Sequence, residues 1–133
     1  MMRRVVLPIC GVALLAGLGQ SALAQSPGVS FADPNRFLQR DGEAIYRAIC
    51  QGCHMPNGQG AIGAGAYPAL AANRNLEAAA YPIAFVLKGR KAMLPFGRML
   101  DDEQVAAVVN YVRTHFGNKY TDVVSGADVR STR

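Results

Sequence analysis

Two thiols and an imidazole stand together at Cys50-Gln51-Gly52-Cys53-His54. Cysteines three residues apart, followed directly by histidine, make the C-x-x-C-H pattern of covalent haem attachment. The spacing has a physical reason. Positions i and i+3 of a helix project from one side, so both thiols can add to the two vinyl groups of one porphyrin. His54 follows on that side and can offer a ring nitrogen to the iron. Three other readings use the same residues: a thioredoxin-like redox pair, a disulfide, and half of a zinc site. The redox pair wants a strand–helix βαβ context, which the sequence lacks. A zinc site wants about four ligands, and beyond the cluster His115 is the strong candidate. A disulfide fits the spacing but leaves the adjacent histidine unexplained.

A haem held by His54 on one face leaves the other face to be filled. The candidates are Met55, Met93, Met99 and His115. Met55 adjoins His54 and is confined to the same side. Met93 stands 39 residues after His54, within Lys91-Ala92-Met93-Leu94-Pro95-Phe96-Gly97. That separation lets the chain cross the haem edge and return on the opposite face. Met99 is two residues before the Asp101 cap and is expected to pack under the last helix. His115 falls in the last helical turn, where the helix dipole already accounts for an imidazole. Methionine is often core filler, yet a turn of Met, Pro and Phe makes a poor core element. Met93 is therefore the expected sixth ligand.

The elements that must position these groups read as helices and loops, with no convincing strand. Asp41 caps a helix that runs from about Gly42 into the Cys50 region, with Ala44, Ile45, Ala48 and Ile49 at helical spacing. Asn57 to Ala66 is rich in Gly and Ala and predicts a loop wrapped around something. Pro82 to Lys88 predicts a short helix closed by Gly89. The strongest helix is the last. Asp101 and Gln104 form a capping-box pattern, and Val105, Val108, Val109, Val112 and Phe116 make one apolar stripe. Gly117 then sits where a left-handed cap belongs. Residues 118–133 are polar and predict a loosely docked tail.

At the other end, Arg3 and Arg4 precede an apolar run from Val5 to Leu18, and Ala22-Leu23-Ala24 follows. This is the layout of a secretory signal cleaved after Ala24. An uncleaved anchor is the alternative, but 14 apolar residues fall short of the ~20 that span a bilayer. Cleavage removes Cys10 and two arginines, taking the net charge from +5 to +3. The protein is thus expected in the periplasm, with Cys50 and Cys53 as its remaining thiols. Gln25 to Ala32 reads as a flexible lead-in, and Asp33-Pro34 as a short helix start. With 133 residues, half of them hydrophobic, the chain fits one domain and is not disordered. No basic stripe is interleaved with aromatics, which argues against nucleic acid.

With these motifs in order, the chain resembles the small monohaem c-type cytochromes, the class I cytochrome c family. The likeness covers about Asp41 to Asn118. Gly42 and Tyr46 match the first helix's Gly-x-x-x-aromatic, and Val108 and Tyr111 match its partners in the final helix. Cys50, Cys53 and His54 match the attachment site. Pro68-Ala69-Leu70 is similar to the family's Pro-x-Leu, whose proline carbonyl accepts the hydrogen bond of the haem histidine. Met93-Leu94-Pro95-Phe96 matches the axial-methionine turn, although the usual order is Met-Pro-x-Phe. The run Asp101 to Asn118 is most similar to cytochrome subunits or partners of periplasmic dehydrogenases.

The resemblance implies an all-α, cytochrome c-like fold, with terminal helices crossing and loops wrapped around one covalent haem c. It divides the chain into a signal (1–24), an extension (25–40), the cytochrome domain (41–118) and a polar tail (119–133). It gives Cys50, Cys53, His54, Pro68, Leu70, Met93 and Phe96 as cofactor-binding residues, with His54 and Met93 on iron. Ile45, Leu70, Phe85, Val86, Leu94, Phe96, Val105, Val109 and Tyr111 are expected walls of the pocket. The implied activity is electron transfer, from a periplasmic dehydrogenase to cytochrome oxidase or another respiratory acceptor, rather than catalysis. The alternative is a haem enzyme or gas sensor with a labile sixth ligand. Lys88, Arg90, Lys91 and Arg98 flank the Met93 turn, either as an ordinary solvated surface or as a face that would steer an acidic partner; Arg74 or Arg90 would serve haem propionates instead.

Overall fold

The computed structural model describes residues 37–63 and 65–133. The expected signal, the lead-in and the Asp33-Pro34 helix start lie outside the described residues. Two units divide the chain, Met1–Ser30 and Phe31–Arg133, and the second contains every described element.

Asp41 opens the first helix as its spacing predicts: its Oδ1 accepts from the Ala44 amide at 3.0 Å. The helical path continues to His54, but not as one α-helix. Helix α1 (Gly42–Ile45) passes into a π turn (Tyr46–Cys50) and then α2 (Gln51–His54). A π turn adds one residue to the turn and rotates everything after it. Met55, at φ 67°, ends the path. The Tyr46 hydroxyl donates to the Met55 carbonyl at 2.7 Å, tying the end of the path back to its middle.

Helix α3 (Ala80–Lys88) closes on Gly89, whose φ is 64°. Helix α4 (Asp102–Thr114) carries both halves of the expected capping box, each at 2.9 Å. Val105, Val108, Val109 and Val112 are buried along one stripe. Phe116 does not extend that stripe. The helix stops at Thr114, His115 is extended, and Phe116 and Gly117 both take positive φ. A left-handed Phe costs about 1–2 kcal/mol, and tertiary contacts offset it. Its ring packs on Tyr46 at 4.9 Å and fills the space left by Gly58, and its carbonyl accepts from the Ala72 amide.

Helix α1 crosses α4 at Gly42. A Cβ built there would lie 2.3 Å from the Ala107 carbonyl and 2.8 Å from Tyr111 Cβ. The closest approach is therefore at Ala107 and Tyr111.

Two expectations change. The Gly- and Ala-rich loop contains a small antiparallel hairpin, β1 (Ala61–Ile62) and β2 (Ala66–Tyr67), with Ala61 opposite Tyr67. Residues 118–133 are not a loose tail. They contain α5 (Gly126–Thr132), capped by Ser125 with Asp128, and bury Val124 and Val129 against the core. The signal for α5 was present as Ser125-Gly126-Ala127-Asp128, a capping-box spacing. Its anchor was not, because it is the fully buried Arg113. That guanidinium donates to the carbonyls of Leu76, Glu77 and Asp122 and to the Asp122 carboxylate. One side chain thus ties α4, the 3₁₀ turn Arg74–Leu76 and the segment before α5 together.

Candidate cofactor site

His54 ends α2, only 8% exposed, with Nδ1 2.9 Å from the Pro68 carbonyl. A carbonyl only accepts, so Nδ1 carries the proton and Nε2 keeps its lone pair. Pro68 is held in turn by its neighbours. The Leu70 and Ala71 amides both donate to the Gly58 carbonyl, at 2.7 and 2.9 Å. Gly60, at φ 69°, gives its amide to the His54 carbonyl. A Cβ there would lie 2.2 Å from the Tyr67 carbonyl, so glycine is required where the hairpin folds back.

Asn118 completes this support, and no motif or spacing pointed to it. It is buried, donates to the Leu70 and Val112 carbonyls at 2.8 Å, and accepts from the Asn73 amide at 2.9 Å.

His54 faces an apolar cavity with about 730 Å³ of free space, counting its open mouth. Val108, Val109 and Val112 of α4 form one side, and Tyr81, Pro82, Phe85 and Val86 of α3 another. Cys50, Pro68, Leu70 and Leu76 line the His54 wall, and Met93 lies in the lining contributed by the 89–101 loop. A second opening shares His54, Pro68, Phe85 and Met93 and is edged by Tyr67, Arg90 and Lys91.

Met93 is half-buried in a turn closed by two 3.0 Å backbone hydrogen bonds with Arg90. Gly89 makes that turn possible, since a Cβ there would lie 2.4 Å from the Met93 carbonyl. Met55 and Met99 line neither opening. His115 is exposed, stacked on Tyr111 at 4.1 Å, with Nδ1 2.9 Å from the Tyr111 carbonyl.

Several expected residues sit elsewhere. Cys50 lines the cavity, whereas Cys53, one α-helical turn on, is exposed and not among the lining residues. Phe96 packs against the core and donates its amide to the Val86 carbonyl, clear of both openings. Leu94 is 66% exposed. Ile45, Val105 and Tyr111 lie in the core or at the α1–α4 crossing rather than on the cavity.

Burial, with the Cys53 thiol beside it, pushes the Cys50 thiol up to about 12. It stays protonated at neutral pH. Among the described residues no three His, Cys, Asp or Glu side chains gather as a metal cluster, so the zinc reading lacks its ligands.

Two sets of the described cations contrast. Arg40, Arg47, Arg113, Arg130 and Arg133 each pair with an acid. Lys88, Arg90, Lys91 and Arg98 are exposed around the Met93 turn with no ion pair to a described acid. Arg90 instead stacks its guanidinium over Phe85, 5.6 Å from the ring centre. No helix among the described residues is long and apolar enough to cross a membrane.

Comparison with known proteins bears on this geometry. Residues 38–112 match the family described as cytochrome C oxidase, cbb3-type, subunit III. The chain is 31% identical over 102 residues to the fructose dehydrogenase cytochrome subunit of Gluconobacter japonicus, covering 65% of this chain and 21% of that protein. It is 34% identical over 98 residues to a cytochrome c-552 of Thermus thermophilus, covering 62% of this chain and 64% of the other. A second Thermus thermophilus cytochrome c-552 is 34% identical over 96 residues, 60% of this chain and 71% of its own length. The chain thus spans about a fifth of the dehydrogenase subunit and just under two thirds of the first cytochrome c-552.

Proposed function

This chain belongs to the monohaem c-type cytochromes, and from that membership we propose that it carries one electron on a single haem c held between His54 and Met93. The observation that carries the reading is one apolar cavity lined by Cys50, His54 and Met93, with His54 oriented by the Pro68 carbonyl.

The residues suit the group. Cys50 and Cys53 offer the two thiols for thioether bonds, and His54 offers Nε2 as the axial donor. Met93 offers a soft thioether for the other side. Pro68 and Leu70 pack the histidine side, and Phe96 holds the Met93 loop to α3 from behind. The chemistry the group supplies when bound is a one-electron change between ferric and ferrous iron. With His54 and Met93 both bound, the group would have no open position for a substrate, so the site would transfer charge without binding one. A thioether ligand favours the ferrous state, and the valines of α4 with Phe85 and Val86 of α3 keep water out, which favours the less charged state further. A high reduction potential follows.

The route begins at a periplasmic dehydrogenase and ends at cytochrome oxidase or another respiratory acceptor. The relative that is a dehydrogenase cytochrome subunit supports the donor class. The amino-terminal segment supports export to the periplasm. Lys88, Arg90, Lys91 and Arg98 give the partner a basic face beside Met93, and electron transfer through it should slow as salt rises.

The test is a visible spectrum of purified protein before and after acid–acetone extraction. Haem retained by the chain, with the weak far-red band of methionine-ligated ferric haem, is the expected result. Extractable haem would remove the covalent attachment. Rapid CO binding by the reduced protein would favour a gas sensor with an open sixth position.

A further inference from the structure

Beyond residue 112, where the family match ends, one side chain reaches back to the loop that carries Met93. Arg133 Nη1 donates to the Gly97 carbonyl at 2.5 Å and Nη2 to the Leu100 carbonyl at 3.0 Å. Its Nε meets the Asp102 carboxylate at 2.5 Å. Arg130 meets the same carboxylate at 3.2 Å but touches no loop carbonyl. Helix α5 delivers both arginines, and its seat is firm. Val129 is fully buried, and Ser125 and Asp128 cap the first turn.

The loop from Gly89 to Asp101 is thereby gripped on both of its edges. The Phe96 and Gly97 amides donate to the Val86 and Leu87 carbonyls at the end of α3, at 2.9 and 3.2 Å. On the other edge, Arg133 takes the Gly97 and Leu100 carbonyls. Between this grip and the Arg90–Met93 bridge only Leu94 and Pro95 remain, both exposed. A short span between two pins leaves Met93 few conformations. Releasing the Arg133 pin frees the Gly97 and Leu100 carbonyls and leaves that edge to the Phe96 carbonyl, which accepts from the Met99 and Leu100 amides; a less tightly held loop has more ways to turn Met93 out of the cavity.

We propose that Arg133 is a positioning residue for Met93: α5 acts as a strap that keeps the methionine turned into the cavity and so sets how readily the sixth position opens. The inference rests on the reading of Met93 as axial ligand.

The test uses the full haem-loaded protein with Arg133→Ala, Arg133→Lys and Arg130→Ala. Amide hydrogen exchange reads the loop, and the rate of CO binding to the reduced protein reads release of Met93. In Arg133→Ala, exchange at Gly97 and Leu100 and the CO rate should each rise about tenfold. The far-red band should persist at neutral pH but disappear at a lower alkaline pH than in the wild type. Arg133→Lys, with one donor centre instead of a fork, should fall between. Arg130→Ala should change neither rate, because it shares only the Asp102 contact. Arg133→Ala with an unchanged CO rate would overturn the positioning role, whether or not exchange quickened. A wild-type protein without the far-red band would overturn the ligand reading and this inference with it. Slow loop exchange in that protein would then place the fault in the ligand and not in the strap.

Discussion

Two parts of the cavity lining, around His54 and around Met93, are built by opposite means. The His54 wall is anchored at many points: the Pro68 carbonyl on the imidazole, two amides on the Gly58 carbonyl, the buried Asn118, and Arg113 behind Leu76. Its glycines are closely packed, Gly58 against the Phe116 ring and Gly60 against the Tyr67–Ala69 backbone. The Met93 wall is an exposed turn held by backbone hydrogen bonds to α3, by the Arg90 bridge and by one remote arginine. The difference teaches where rigidity is needed. On the proposed reading, His54 would be presented in one orientation beside two covalent attachments, and Met93, on its loop, would close over a cofactor already in place with a grip tuned from a distance.

The largest effect is expected where the anchored wall depends on one side chain. Replacing Arg113 with Met leaves the buried Leu76 carbonyl and the part-buried Glu77 and Asp122 carbonyls without their donor, and at ~1–3 kcal/mol for a buried group left unpaired the loss should reach about 3 kcal/mol. Chemical denaturation should show it. A loss below about 1 kcal/mol would mean that water enters freely and that the wall is less fixed than described.

Gly42→Val comes next. Its side chain would drive into the Ala107 carbonyl at the helix crossing that carries Cys50 and His54, at a cost of ~1–3 kcal/mol or more. The thermal midpoint is the measurement, and no change would remove the close crossing. Met93→Ala, on the other wall, should cost only about 1 kcal/mol of stability, because the residue is half-buried in a turn. Its spectroscopic effect should be large, with loss of the far-red band, a lowered potential and CO binding to the reduced protein. Met99→Ala should leave all three unchanged. If the two variants exchange behaviours, the hinged wall has been assigned to the wrong methionine.

The smallest effect is one of pH. Hydrogen bonds from Arg133 hold the Asp102 carboxyl below its ordinary 3.8, Arg113 does the same for Asp122, and Ser125 for Asp128. Each lowered value means that folding favours the charged form. The stabilisation is therefore complete above the ordinary value and lost as pH falls through the lowered ones. Thermal midpoints should hold between neutral pH and about 5, then decline below about 4. Amide exchange should quicken first in α5 and the 97–100 loop, and later around His54. The reverse order would contradict the contrast between the walls.

Local chemistry made much of this protein legible in its residues. A cysteine pair with a following histidine, caps at Asp41 and Asp101, and a valine stripe at helical spacing all act within a few residues, so one stretch of chain is enough to read them. Gly42 and Met93 were legible because their family pattern fixes residue types at set intervals. The tertiary structure alone decided what depends on distant partners. It turned Phe96 to the core, interrupted the first helix with a π turn, and drew Phe116 into a left-handed conformation beside Gly58. It also made residues 118–133 part of the fold, because Arg113 finds Asp122 and Arg133 finds the 97–100 loop only once α3, α4 and α5 have packed. Hydrophobic period and capping are properties of neighbours in the chain, whereas a buried arginine's partners are neighbours only in space, and no spacing in the sequence encodes them.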